Sequence, residues 1–99
     1  MPLYAMIAKD KANGLEHRLA VRPEHLKHLE TLGQRLVMAG PFQTEEGNAM
    51  GSWVVIEAAN LAEATKLFEA DPFVVRGVFQ SHEITRWSWG INNPDKRGQ

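Results

Sequence analysis

His25 is the side chain in this sequence best suited to move a proton. At 100° per residue it falls in the stripe of Leu29, Leu32 and Leu36, the inward face of a helix. An imidazole held there needs hydrogen-bond partners, since leaving it unpaired costs on the order of 1–3 kcal/mol. A helix N-terminus beside it would oppose the imidazolium and a nearby carboxylate would favour it. That balance suits a group that takes and returns a proton. The position also fits a core histidine satisfied by a backbone carbonyl. Asp71 is the second candidate. It precedes Pro72, which holds its backbone extended and lets the carboxylate be aimed with little loss of freedom. An Asp-Pro pair at a helix end is equally ordinary turn chemistry.

Around these two, several residues could contact a small substrate. Ser52, after Gly51 at a strand start, can hydrogen-bond a ligand or satisfy its own turn. Arg18 and Arg22 have the fork that grips a carboxylate, though arginines at such spacing also serve a solvated helix face. Gly40-Pro41 allows close backbone approach to a pocket, or simply ends a strand. Tyr4 and Phe73 could line an aromatic-sized cavity or fill the core. His25 and His28 stand three apart and can share a helix face. A zinc site would want a third ligand, and His17 and His82 are distant in sequence, so no metal site is expected. There is no glycine-rich phosphate loop, nucleophile elbow or dinucleotide fingerprint, and no organic cofactor is expected.

The elements that must position these side chains fit one domain over residues 1–90, followed by a polar tail, 91–99. The chain has 99 residues, 43% of them apolar and 23% charged, as in an ordinary soluble domain. Eleven Lys and Arg against twelve Asp and Glu leave a net charge of −1, which argues against nucleic acid and anionic membrane as partners. Cysteine is absent, so disulfides and thiolate chemistry are excluded. The run Leu3–Ala8, stopped by Lys9 and Asp10, is too short for a signal-peptide core or a membrane span, and a cytoplasmic protein is expected. That run reads as a first strand. Leu15–Ala20 reads as a short helical turn, and Pro23 as the first position of a helix carrying Leu26, Leu29, Leu32 and Leu36. Leu36–Ala39 reads as a second strand halted by Gly40-Pro41, and Ser52–Glu57 as a third. Asn60 and Glu63 form a capping box for a second helix with Leu61, Ala64, Leu67 and Phe68 inward, ended by Asp71-Pro72. Val78–Trp87 reads as the fourth strand.

The order βαββαβ is the split βαβ arrangement of an α+β, ferredoxin-like domain: a four-stranded antiparallel sheet with both helices on one face. The other face, where Trp53, Phe79 and Trp87 are expected, needs a cover. A second copy of the chain is the simplest one, so a homodimer is expected.

Three segments together resemble the YciI-like (YCII-related) family of dimeric α/β-barrel proteins. They are Leu15-Glu16-His17-Arg18-Leu19-Ala20-Val21-Arg22-Pro23-Glu24-His25-Leu26, then Ala39-Gly40-Pro41 with Gly51-Ser52, then Ala70-Asp71-Pro72-Phe73-Val74-Val75-Arg76-Gly77-Val78-Phe79. The resemblance spans residues 3 to 86. It implies a paired ferredoxin-like fold and a His–Asp active site, matched here by His25 and Asp71. Some relatives are implicated in eliminating halide from chlorinated hydroxyquinols. The chain departs from the family in a shorter Thr44–Gly51 loop and in Arg86-Trp87-Ser88-Trp89-Gly90, where a lysine-rich ending is usual. With the pair in place, His25 is expected as general base then acid and Asp71 as its orienter. The expected reaction is an elimination or isomerisation without metal or cofactor, on a small polar substrate, cyclic and unsaturated or halogenated. A ligand-binding or dimeric interaction module is the alternative. Cofactor-independent oxygenation is a third reading, on fold analogy alone.

Overall fold

A computed structural model describes residues 1–94; residues 95–99 of the expected tail lie outside the described residues. The first strand, β1 (Leu3–Asp10), is the apolar run extended by two charged residues. It lies inside a four-stranded sheet of order β2-β3-β1-β4, with β2 spanning Leu36–Gln43, β3 Ala49–Glu57 and β4 Phe79–Trp87. All three pairings are antiparallel. The helices are α1 (Leu15–Leu32), α2 (Leu61–Glu69) and a short α3 (Pro72–Val75). The main core joins Tyr4, Met6, Ala8, Val54 and Ile56 of the sheet to Val21, Leu29, Leu32, Ala64, Phe68 and Phe73 of the helices. Among the described residues no helix is long and apolar enough to cross a membrane.

Four expectations need correction. The first helix is one continuous element, with Pro23 inside it rather than at its start. Its buried face runs Arg18, Val21, His25, Leu29, Leu32, so the stripe continues on both sides of the proline. Burial along that face outweighs the loss of one i→i−4 bond. His25 is therefore mid-helix and not subject to the N-terminal dipole. Leu26 points outward, 40% exposed, and Leu36 has left the helix to open β2.

Second, β2 does not stop at Gly40-Pro41 but runs on to Gln43, with Pro41 opposite Ser52. An edge strand has one side without partners, and there a proline costs no ladder bond. The third strand likewise begins earlier, at Ala49. At Gly51, between Phe42 on one side and Lys9 on the other, a Cβ would collide with the carbonyl oxygen of Ala8. Glycine is required there by the close approach of two backbones.

Third, Phe79 faces the helices, not the open face. A bulge between Lys9 and Asp10 pairs Asp10 with Phe79, and one extra residue on β4 turns the ring inward. It packs edge-on to Phe73 with centroids 5.6 Å apart. Trp53 and Trp87 do lie on the outer face, around buried Leu3, Ala5 and Val55, and Trp89 joins them from beyond β4. Fourth, Asp71-Pro72 both ends one helix and starts another. Asp71 caps α3, with Pro72 at its first position.

The cap of α2 is as expected at Asn60, whose Oδ1 accepts from the Glu63 N–H at 2.9 Å. The Glu63 carboxylate reaches back to the N–H of Ala59, one residue beyond the capping position, and accepts from Arg35. The Arg35 guanidinium, then the Ala59 N–H, hold its carboxyl below the usual glutamate value.

Candidate active site

The site is a cleft of about 180 Å³ between α1 and the strands β2 and β3. Arg18, Arg22 and His25 come to it from α1, Gly40 and Pro41 from β2, Ser52 from β3 and Phe73 from α3. Most of the residues singled out in the sequence thus share one wall system. Tyr4 does not: it is 6% exposed within the main core. Its even-numbered place on β1 puts it among Met6 and Ala8, under the helices rather than beside the cleft.

His25 and Asp71 meet. The Nδ1–H of His25 lies 2.9 and 2.8 Å from the two carboxylate oxygens of Asp71, and both side chains are buried. A carboxylate can only accept, so Nδ1 carries a proton, and in the neutral ring Nε2 is the nitrogen with a lone pair to offer. Asp71 Oδ1 also accepts the Phe73 N–H at 2.8 Å, which locks the carboxylate to the start of α3. The backbone of Asp71 is extended, φ −62° and ψ 129°, as the following proline requires. The turn chemistry and the pairing with His25 coexist in one side chain.

Phe73 stacks on His25 with centroids 3.9 Å apart and planes 11° off parallel. Arg18 lies over the same ring, Cζ 4.6 Å from its centroid. Arg18 and His25 are seven residues apart on α1, two turns or about 10.5 Å, which is the gap a ring fills. The imidazole is thus fixed in its plane by stacking and in its rotation by Asp71.

Arg18 is not on a solvated face. It is 5% exposed, and its Nη1 donates to Asp10 Oδ1 and Oδ2 at 2.8 and 3.0 Å. Its Nη2 donates to Ser52 Oγ at 2.7 Å. Arg22 is exposed at the rim of the cleft, with no ion-pair partner among the described residues. Asp10 is the site residue that sequence reasoning missed, having been read as a strand stop. Its signal was parity: it alternates with Tyr4, Met6 and Ala8 and so points inward.

His28 turns away from His25, donating to the Leu67 carbonyl at 3.0 Å. Among the described residues no three His, Asp or Glu side chains are grouped to hold a metal ion.

The profile of the YCII-related domain family matches residues 2–88. The chain is 41% identical over 86 residues to Protein YciI of Escherichia coli O6:H1, covering 79% of this chain and 88% of that protein. Among solved structures it is similar to TftG of Burkholderia phenoliruptrix, a 5-chloro-2-hydroxyhydroquinone dehydrochlorinase in complex with 2,5-dihydroxybenzoquinone. The two share 29% identity and a TM-score of 0.80 over 89% of this chain and 95% of the other. An antibiotic biosynthesis monooxygenase, 10% identical with a TM-score of 0.57 over 90% and 98% of the two chains, shares the fold.

Proposed function

The chain belongs to the YCII-related domain family, and from that premise we propose that it is an enzyme in which His25 moves a proton on a small cyclic substrate. The observation that carries the reading is the orientation of His25: Nδ1 is committed to Asp71, on a ring that lines the cleft. Nε2 removes a proton from a carbon or hydroxyl of the substrate, and the released electron pair moves through the unsaturated ring. It either expels halide with the bonding pair, for net loss of HX, or receives the proton back elsewhere, for isomerisation. Asp71 stabilises the imidazolium formed on the way and holds the ring in the reactive tautomer. The likeness to a dehydrochlorinase acting on a chlorinated hydroquinone favours elimination and a hydroxylated ring.

The test is chloride release from 5-chloro-2-hydroxyhydroquinone by the wild type and by His25→Ala, with circular dichroism as the folding control. A general base contributes about 10²–10⁴-fold in rate, and a loss in that range is expected. Absence of turnover over a panel of halogenated and enolisable cyclic compounds, with ligand affinity unchanged in His25→Ala, would leave a binding module instead.

The same reading pairs two copies of the chain through the outer face of the sheet. Ile7 and Met50 are each 46% exposed there and Phe42 is 41% exposed, around one shallow depression. Exposed apolar side chains grouped in this way favour a protein cover.

A further inference from the structure

We infer that Ser52 donates its hydroxyl proton into the cleft, held there by Asp10 acting through Arg18, and that it faces a substrate oxygen bearing negative charge. This deepens the function proposed above, since it names what the substrate presents opposite the base.

A serine hydroxyl has one proton and two lone pairs, and an arginine can only donate. The 2.7 Å contact from Arg18 Nη2 therefore uses a lone pair of Ser52 Oγ and leaves its proton unspent. Ser52 is 2% exposed, and among the described residues no acceptor takes that proton. The residue lines the cleft, where a bound ligand is the available acceptor.

Asp10 gives the arrangement its direction. Both its oxygens bind Arg18 Nη1, so the guanidinium is neutralised on one side and delivers its second nitrogen to Ser52. A hydroxyl that accepts from a cation becomes a stronger donor. Phe73 steadies the guanidinium from its ring face and touches His25 as well. The base and the donor are thus tied to one aromatic ring, and the cleft has a proton-taking wall and a proton-offering wall. The substrate that fits is one whose acidic C–H or O–H is conjugated to a carbonyl or ring oxygen. Charge then builds on that oxygen as His25 takes the proton, and Ser52 meets it. Ser52 contacts the substrate; Arg18 and Asp10 are positioning residues.

Binding of 4-nitrophenolate against 4-nitroanisole, which has the same ring but no charged oxygen, tests this by titration of the wild type, Ser52→Ala and Ser52→Thr. A hydrogen bond to a charged oxygen supports a preference for the phenolate of about 10–100-fold, expected in the wild type and in Ser52→Thr and lost in Ser52→Ala. Asp10→Asn is expected to narrow the preference and to reduce the shift of the phenolate absorption band on binding. Should the lone buried arginine unfold that variant, Asp10→Asn with Arg18→Met removes the ion pair whole and is expected to narrow the preference likewise. Equal preference in wild type and Ser52→Ala, or no phenolate binding to the wild type, overturns the inference. The readout is affinity, so failure of the His25 turnover assay leaves it standing.

Discussion

Asp71 serves two elements with one carboxylate: it caps α3 through the Phe73 N–H and holds Nδ1 of His25. Removing it entirely should therefore cost twice. Asp71→Ala forfeits a cap worth about 1 kcal/mol and strands a buried ring donor at on the order of 1–3 kcal/mol. Asp71→Asn keeps Oδ1 as the cap acceptor and offers Nδ2 as a donor to the ring in its other tautomer, and is expected to lose clearly less stability in urea unfolding. Equal losses would mean that the two bonds do not share the side chain as described. His25 and Asp71 were each legible in the sequence as candidates, but their contact was not, because 46 residues separate them. It came only through the family resemblance. Asp10 was hidden for another reason: a charged residue at the end of an apolar run looks like a terminator, and its partner Arg18 looks like helix surface. Each makes sense inside only once the other is seen.

The same concealment operates on whole elements. Arg18 and His25 fill two of the five inward positions of α1, so apolar periodicity fades in the half of the helix that builds the site. Pro23 then suggests a boundary where none exists. The strands were easier, because unbroken apolar runs mark β1 and β3, but the bulge at Asp10 reversed Phe79 without any mark in the sequence. Gly51→Ala forces a Cβ against the Ala8 carbonyl, where neither backbone is free to give way. It is expected to destabilise by about 1–3 kcal/mol, read from the urea midpoint. Glu63 titrates lower in the folded protein than its ordinary value of 4.5, owing to Arg35 and the Ala59 N–H. Its contribution is complete above that ordinary value and disappears as pH falls through the lower folded one. Between about pH 6 and pH 3, the wild type should therefore lose more stability than Glu63→Gln. Parallel pH curves would refute it. The pair is half-buried and in reach of solvent, so salt should shrink the difference.

For the molecule as a whole, the two faces of the sheet carry different chemistry. The helix side holds the main core and the cleft, while the outer side carries Ile7, Phe42 and Met50 in the open. If two copies meet there, a charge at the centre should part them. Wild type is expected to sediment at twice the chain mass and Ile7→Glu at the chain mass, with unchanged circular dichroism. Wild type sedimenting as a single chain would remove the paired reading.

The tryptophans are distributed as unevenly as the chemistry. The chain has three, and Trp53, Trp87 and Trp89 all belong to the outer cluster, in edge-on contacts with centroids 6.0 and 5.0 Å apart. None lines the cleft, whose aromatic walls are Phe73 and His25. The ultraviolet emission of this protein therefore originates on one side of the sheet. Coupled indoles at such spacing give an exciton signature in circular dichroism that responds to whatever covers that side. The cleft side carries no indole among the described residues, so a coloured ligand can be followed there by its own absorption while the indoles separately report on the outer face.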